Sequence, residues 1–151
     1  MNMKKANKCF VCVAIMLIIS CLSSCESGFN QMSFDDASDC IVSKRHHNFK
    51  HITVWIFYND SINDTFDIDK KEGRQGKERI CLRNISNDYS ITYVCFGKNK
   101  IRKYFRVRPN CKYRVENLSY SAFLPEVLFL YTDSVNNLYE DSHPYEYELL
   151  W

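Results

Sequence analysis

Glycine is scarce. Gly28, Gly73, Gly76 and Gly97 are the only four in 151 residues, and none belongs to a phosphate-cradling loop. The nucleophile elbow G-x-S-x-G and the zinc-protease helix H-E-x-x-H are also missing. Histidine is thin, with His143 alone beyond residue 51, so no cysteine–histidine spacing suggests a nucleophile pair. These absences remove the common routes to hydrolysis and nucleotide chemistry, and the chain reads as a non-enzyme that needs no cofactor. Long apolar runs are missing too. Residues 9–19 are uncharged and apolar, about a dozen positions, short of the ~20 that a bilayer-crossing helix needs. No stretch beyond residue 25 keeps a helical period. Charge of one sign is also lacking. The net charge is +2, but Lys4, Lys5 and Lys8 stand before the apolar run, and the remainder is close to neutral. Nothing in the global charge calls for a nucleic-acid partner.

The N-terminus carries a pattern of its own. A lysine-bearing start is followed by the apolar run and by the small-residue stretch Ser20-Cys21-Leu22-Ser23-Ser24-Cys25. This order is that of a secretory signal, expected over residues 1–24 and removed from the mature protein. Leu22-Ser23-Ser24-Cys25 resembles the lipobox of bacterial lipoproteins: an aliphatic residue, two small residues and a cysteine. The resemblance implies that Cys25 becomes the lipidated N-terminus, with Cys21, after Ile18-Ile19-Ser20, as the alternative anchor. It implies a lipid-anchored protein of the bacterial cell envelope. Glu26 stands where an Asp marks inner-membrane retention in enterobacterial lipoproteins, so outer-membrane delivery is expected. Acyl chains bury at ~0.8 kcal/mol per methylene, enough in combination to hold a domain on a membrane without a spanning segment.

Beyond the anchor, Cys40, Cys81, Cys95 and Cys111 remain. An exported chain meets an oxidising compartment, so one or two disulfides are expected among them. Four cysteines allow three complete pairings. No C-x-x-C knuckle occurs among them, and no metal site is expected. Any of the four can also serve as a small buried hydrophobe.

Residues 25–48 are polar with isolated aromatics, and read as the lipidated cysteine and a flexible tether. Within them, His46, His47 and nearby His51 sit among Lys44, Arg45 and Lys50, cations that oppose a metal. Residues 49–151 form the expected domain, of about 100 residues. Residues 52–58 are β-branched and aromatic, a strand signal, and end at the turn cluster Asn59-Asp60-Ser61. Further strands are expected at 65–68, 79–83, 90–96, 101–107, 112–116 and 127–132, with turns between, and 138–140 allows one short strand more. Residues 119–124 allow one helical turn. About seven short strands at such intervals predict an all-β antiparallel sandwich.

Val107-Arg108-Pro109-Asn110-Cys111-Lys112-Tyr113-Arg114-Val115 resembles the E–F corner of fibronectin type III domains. The resemblance implies an immunoglobulin-like or fibronectin-like sandwich. It implies that Tyr113 bonds through its hydroxyl to nearby backbone, and that Trp55 is a core tryptophan.

Residues 101–107 alternate with period two. Ile101, Lys103, Phe105 and Val107 are expected on a core-ward face, and Arg102, Tyr104, Arg106 and Arg108 on the other, continuing Lys98 and Lys100. Arginines interleaved with an aromatic suit acidic groups on a protein or glycan. The ordinary alternative is a solvated face balanced by Glu140, Asp141, Glu146 and Glu148. The tail, residues 142–151, carries Tyr145, Tyr147 and Trp151 and is expected to pack on the sandwich or to receive a ligand. The function read from the sequence is that of an envelope-displayed binding module for protein or glycan. The alternative is a periplasmic immunity or inhibitor protein that binds a delivered toxin.

Overall fold

The structure is a computed structural model, and it describes residues 32–59, 61–95, 98–119 and 126–141. The expected signal segment, both anchor cysteines, the helical turn at 119–124 beyond Ser119, and the aromatic tail lie outside the described residues. Among those described, the chain is all-β and contains no helix.

The ordering element is β3 (His51–Tyr58), whose β-branched residues favour a pleated, covered position. It is flanked by β4 (Ser61–Lys70) and β8 (Lys112–Asn117), both antiparallel. From β4 the sheet continues through β6 (Tyr89–Cys95) to β7 (Lys98–Arg102). From β8 it continues through β9 (Glu126–Thr132) to β10 (Leu138–Glu140). The order is β10-β9-β8-β3-β4-β6-β7. A second sheet, in the order β1-β2-β5, contains β1 (Met32–Asp35), β2 (Cys40–Ser43) and β5 (Arg79–Cys81). All its pairings are antiparallel as well.

Cross-strand register sorts the large sheet into two faces. Val54 lies opposite Phe66 and Val115, and Ile52 opposite Ile68. Leu128 lies opposite Val115, and Leu130 opposite Tyr113. These residues join Met32 and Ile41 of the small sheet, Phe49, Ile80 and Leu82 in one core. The two sheets thus share a single apolar interior in a sandwich-like arrangement. Trp55 lies on the other face of the large sheet, opposite Thr65 and Arg114, and is half-buried. The core positions of β3 are therefore Ile52, Val54 and Ile56, each essentially inaccessible, rather than Trp55.

The connections use residues that tolerate left-handed backbone. Asp39, Asn59, Asn110 and Asn136 all have φ between 50° and 72°, where Asn and Asp are the least penalised non-glycine residues. Gly76 answers a different demand. A Cβ there would lie 2.5 Å from the carbonyl oxygen of Phe49, because the backbones of Phe49 and Lys77 bridge beside it.

Two further sequence expectations change. The tether does not run to residue 48. From Met32 the chain is in the small sheet, with Met32, Cys40, Ile41 and Ser43 buried and Cys40 disulfide-bonded to Cys81 across the β2–β5 pair. The described residues also hold ten strands rather than about seven.

Candidate functional site: a cationic cleft at the sheet edge

The basic stripe is reorganised by a break in the backbone. β7 ends at Arg102, a bend follows at Lys103, and residues 104–108 are not in a strand. Alternation therefore does not run unbroken from 101 to 108. In β7, Lys100 lies opposite Tyr93, Arg102 opposite Ile91 and Ile101 opposite Thr92. Lys100 and Arg102 thus stand on the face of the sheet that carries the core, at its open margin. Ile101 stands on the reverse face and is 83% exposed, contrary to the core-ward position expected for it. After the bend the phase resets. Phe105 and Val107 are buried, while Tyr104, Arg106 and Arg108 face solvent.

The outcome is a concavity rather than a flat stripe. Arg102, Lys103, Tyr104, Arg106 and Arg108 line a cleft of about 580 Å³ together with Asp64, Phe66, Tyr93 and Ile101. Phe66 and Tyr93 face each other across the β4–β6 pair, with ring centroids 5.2 Å apart. Phe66 meets Phe105 edge-on at 5.1 Å, and Phe105 in turn meets Tyr113 at 6.4 Å. This run of rings roots the segment 104–108 in the core and puts a packed ring, Tyr93, beneath Arg102.

Each arginine is held differently. The Arg102 guanidinium lies over the Tyr93 ring, 5.4 Å from its centroid. That of Arg106 lies 6.0 Å from the Tyr104 centroid. Stacking leaves the N–H edges of a guanidinium available for a carboxylate or phosphate fork. Among the described residues no carboxylate pairs with either group. Arg108 instead donates to Asp64, Nη2 to Oδ2 at 2.6 Å, and the Asp64 side chain is only 12% exposed. Arg108 is thus neutralised from beneath, and Arg102, Lys103 and Arg106 are the cleft cations that no carboxylate among the described residues pairs.

The backbone under the cleft is pinned by Tyr113. Its fully buried hydroxyl accepts from the Arg108 N–H at 2.7 Å and donates to the Arg108 carbonyl at 3.0 Å. Burial, opposed by the bond to the Arg108 backbone, pushes the phenol up to about 12. Thr132 Oγ1 donates to the same carbonyl at 2.6 Å.

The remaining candidates stand elsewhere. Cys111 is a buried free thiol, held above the ordinary thiol range by that burial against the pull of Arg108, which suits packing rather than reactivity. Cys95 ends β6, and its side chain lies outside what is described. His46 contacts Glu78 at 2.9 Å, and His51 contacts Asp69 through Nδ1. The two sit in separate pairs. Among the described residues no group of three or more His, Cys, Asp and Glu is positioned to hold a metal ion.

Sequence reasoning named Arg102, Tyr104, Arg106 and Arg108, and the structure gathers all four. It missed Phe66, Tyr93 and Asp64, which form the floor and the internal counter-ion. Their signal was the alternation Asp64-Phe66-Ile68 in β4, which puts an acid in line with two core residues. No family model matches the chain, and no curated protein or solved structure matches it.

Proposed function

We propose that this protein is a lipid-anchored binding module of the bacterial envelope, most consistent with the outer membrane, and that the cleft around Arg102 and Arg106 captures acidic groups on its partner. The observation that carries the recognition half is the pair of guanidiniums stacked on Tyr93 and Tyr104 without carboxylate partners among the described residues. Arginines that serve only solubility have no need of an aromatic ring beneath them, packed under Arg102 and exposed under Arg106. A ring contact restrains each guanidinium and so lowers the ordering cost of gripping an anion. The anchoring half is supported by the lysine-rich start, the short apolar run and the Leu22-Ser23-Ser24-Cys25 sequence. Its mechanism is display: lipid on Cys25 concentrates the domain at a surface, and the cleft does the recognising.

Within this reading the architecture is an immunoglobulin-like or fibronectin-like sandwich extended at its margins. The bond from the Tyr113 hydroxyl to the Arg108 backbone, five residues upstream, supports it, since such a corner is a hallmark of that architecture.

The test is binding of poly-L-glutamate and of polygalacturonate to the full chain in detergent, compared with the double variant Arg102→Glu/Arg106→Glu. A loss of at least about tenfold, with wild-type binding weakening as salt rises, is the expected result. Equal binding by both proteins would remove the cleft from consideration.

A further inference from the structure

Half of an edge strand's N–H and C=O groups find no partner in their own sheet, so an edge must be covered, guarded or used. This molecule treats two of its edges in opposite ways. β1 is closed by carboxylates from the large sheet: Met32 N–H donates to Glu126 Oε1, and Phe34 N–H donates to Glu140 Oε2 at 3.0 Å. Among the described residues β7 has no such cover: it pairs only with β6, and no side-chain oxygen reaches its backbone.

The side chains of β7 are also sorted. Lys100 and Arg102 stand on the cleft side, while Ile101 projects from the reverse face, 83% exposed. An edge that only needed guarding would be served by its lysines, and a bare isoleucine between cations adds nothing to that task. A chain laid along β7 would meet cations on one face, an aliphatic side chain on the other, and a row of open backbone groups between.

We propose that the outer edge of β7 is the docking line for an extended segment of a partner protein in which acidic and apolar residues alternate, added as a further strand of the large sheet. The proposal rests on the cleft being an acid-recognition site and names what brings the acids. Strand addition draws affinity from main-chain hydrogen bonds and specificity from alternate side chains. Acids of the incoming strand face Lys100 and Arg102 and continue toward Arg106, and its apolar residues cover Ile101. A glycan would use the charges but neither the backbone row nor Ile101. A second copy of β7 would set cation against cation across the new pair, which is destabilising.

The test uses the full chain in detergent and a synthetic peptide of alternating valine and glutamate. Two N-methylated versions accompany it, one blocked at the valine nitrogens and one at the glutamate nitrogens. The two methylation patterns block opposite edges of the peptide. The parent peptide is expected to bind and to slow hydrogen exchange in β7. One methylated peptide is expected to lose at least about tenfold in affinity and the other to retain it. Ile101→Lys, at a position too exposed to threaten folding, is expected to weaken the parent peptide several-fold. Parent and both methylated peptides binding equally would overturn strand addition while leaving the cleft reading intact. So would binding of polygalacturonate with no binding of the peptide. Failure of peptide, poly-L-glutamate and polygalacturonate alike would defeat the cleft reading and this inference together.

Discussion

The Tyr113 hydroxyl, one of the few polar groups sealed in the interior, closes both the N–H and the C=O of Arg108. Removing it takes the partner from the Arg108 N–H, while the carbonyl keeps its bond from Thr132 Oγ1, so Tyr113→Phe is expected to cost about 1–2 kcal/mol, read from the midpoint of urea unfolding. Its raised pKa adds a pH dependence. The folded state holds the phenol proton from 10.0 up to about 12, while the unfolded chain releases it earlier. Stability is therefore expected to fall as pH rises through that window, and the fall should be shallower in Tyr113→Phe. Asp64 permits a second test at this scale. It neutralises Arg108 from below the cleft, so Asp64→Asn should strengthen poly-L-glutamate binding by about threefold. The pair is half open to solvent on the arginine side, so the accompanying loss of stability should be about 1 kcal/mol or less.

At the scale of elements, the edge of β1 carries a buried carboxylate. Burial raises the Glu126 pKa above its ordinary 4.5, against the bond from the Met32 N–H and the pull of Lys44 and Arg45. A raised carboxyl favours folding while protonated, and that contribution fades as pH climbs through the folded pKa. Glu126→Gln keeps an acceptor for Met32 and removes the charge. It is expected to raise the urea midpoint at neutral pH, with the difference from wild type closing as pH falls below 4.5. The Cys40–Cys81 bridge closes a separation of 41 residues and ties β2 to β5. Replacing both cysteines with serine should cost about 4 kcal/mol by chain entropy, measurable by the same unfolding. These elements differ in how far the sequence discloses them. β3 was legible from its β-branched and aromatic run, β9 from a nearly continuous apolar one, and β8 from the alternation of Tyr113 and Val115 with charged residues. β1 and β2 were not. Cys40-Ile41-Val42 is a short apolar island in polar surroundings, and it becomes a strand only because Ile41 pairs with Ile80 and the cysteines join. The basic stripe was legible in membership but misplaced in phase. The bend at Lys103 resets the alternation, and a period-two reading has no means to register a single bend.

At the scale of the whole molecule, the two sheets enclose one core and leave a cationic margin on one side. Long-range attraction dies within ~8 Å at physiological salt, so the near-neutral body of the protein does little to draw a partner. Recognition has to be local, at packed groups, and a membrane anchor would supply the encounter rate that charge does not. A photo-crosslinking residue placed at Tyr104, which is 64% exposed, and one placed at Asn84, outside the cleft, would report the recognising surface in intact cells. A discrete adduct is expected from position 104, none from 84, and none from 104 once Arg102 and Arg106 are reversed. Matching adducts from both positions, or an adduct at 104 that survives the reversal, would contradict the role assigned to the cleft.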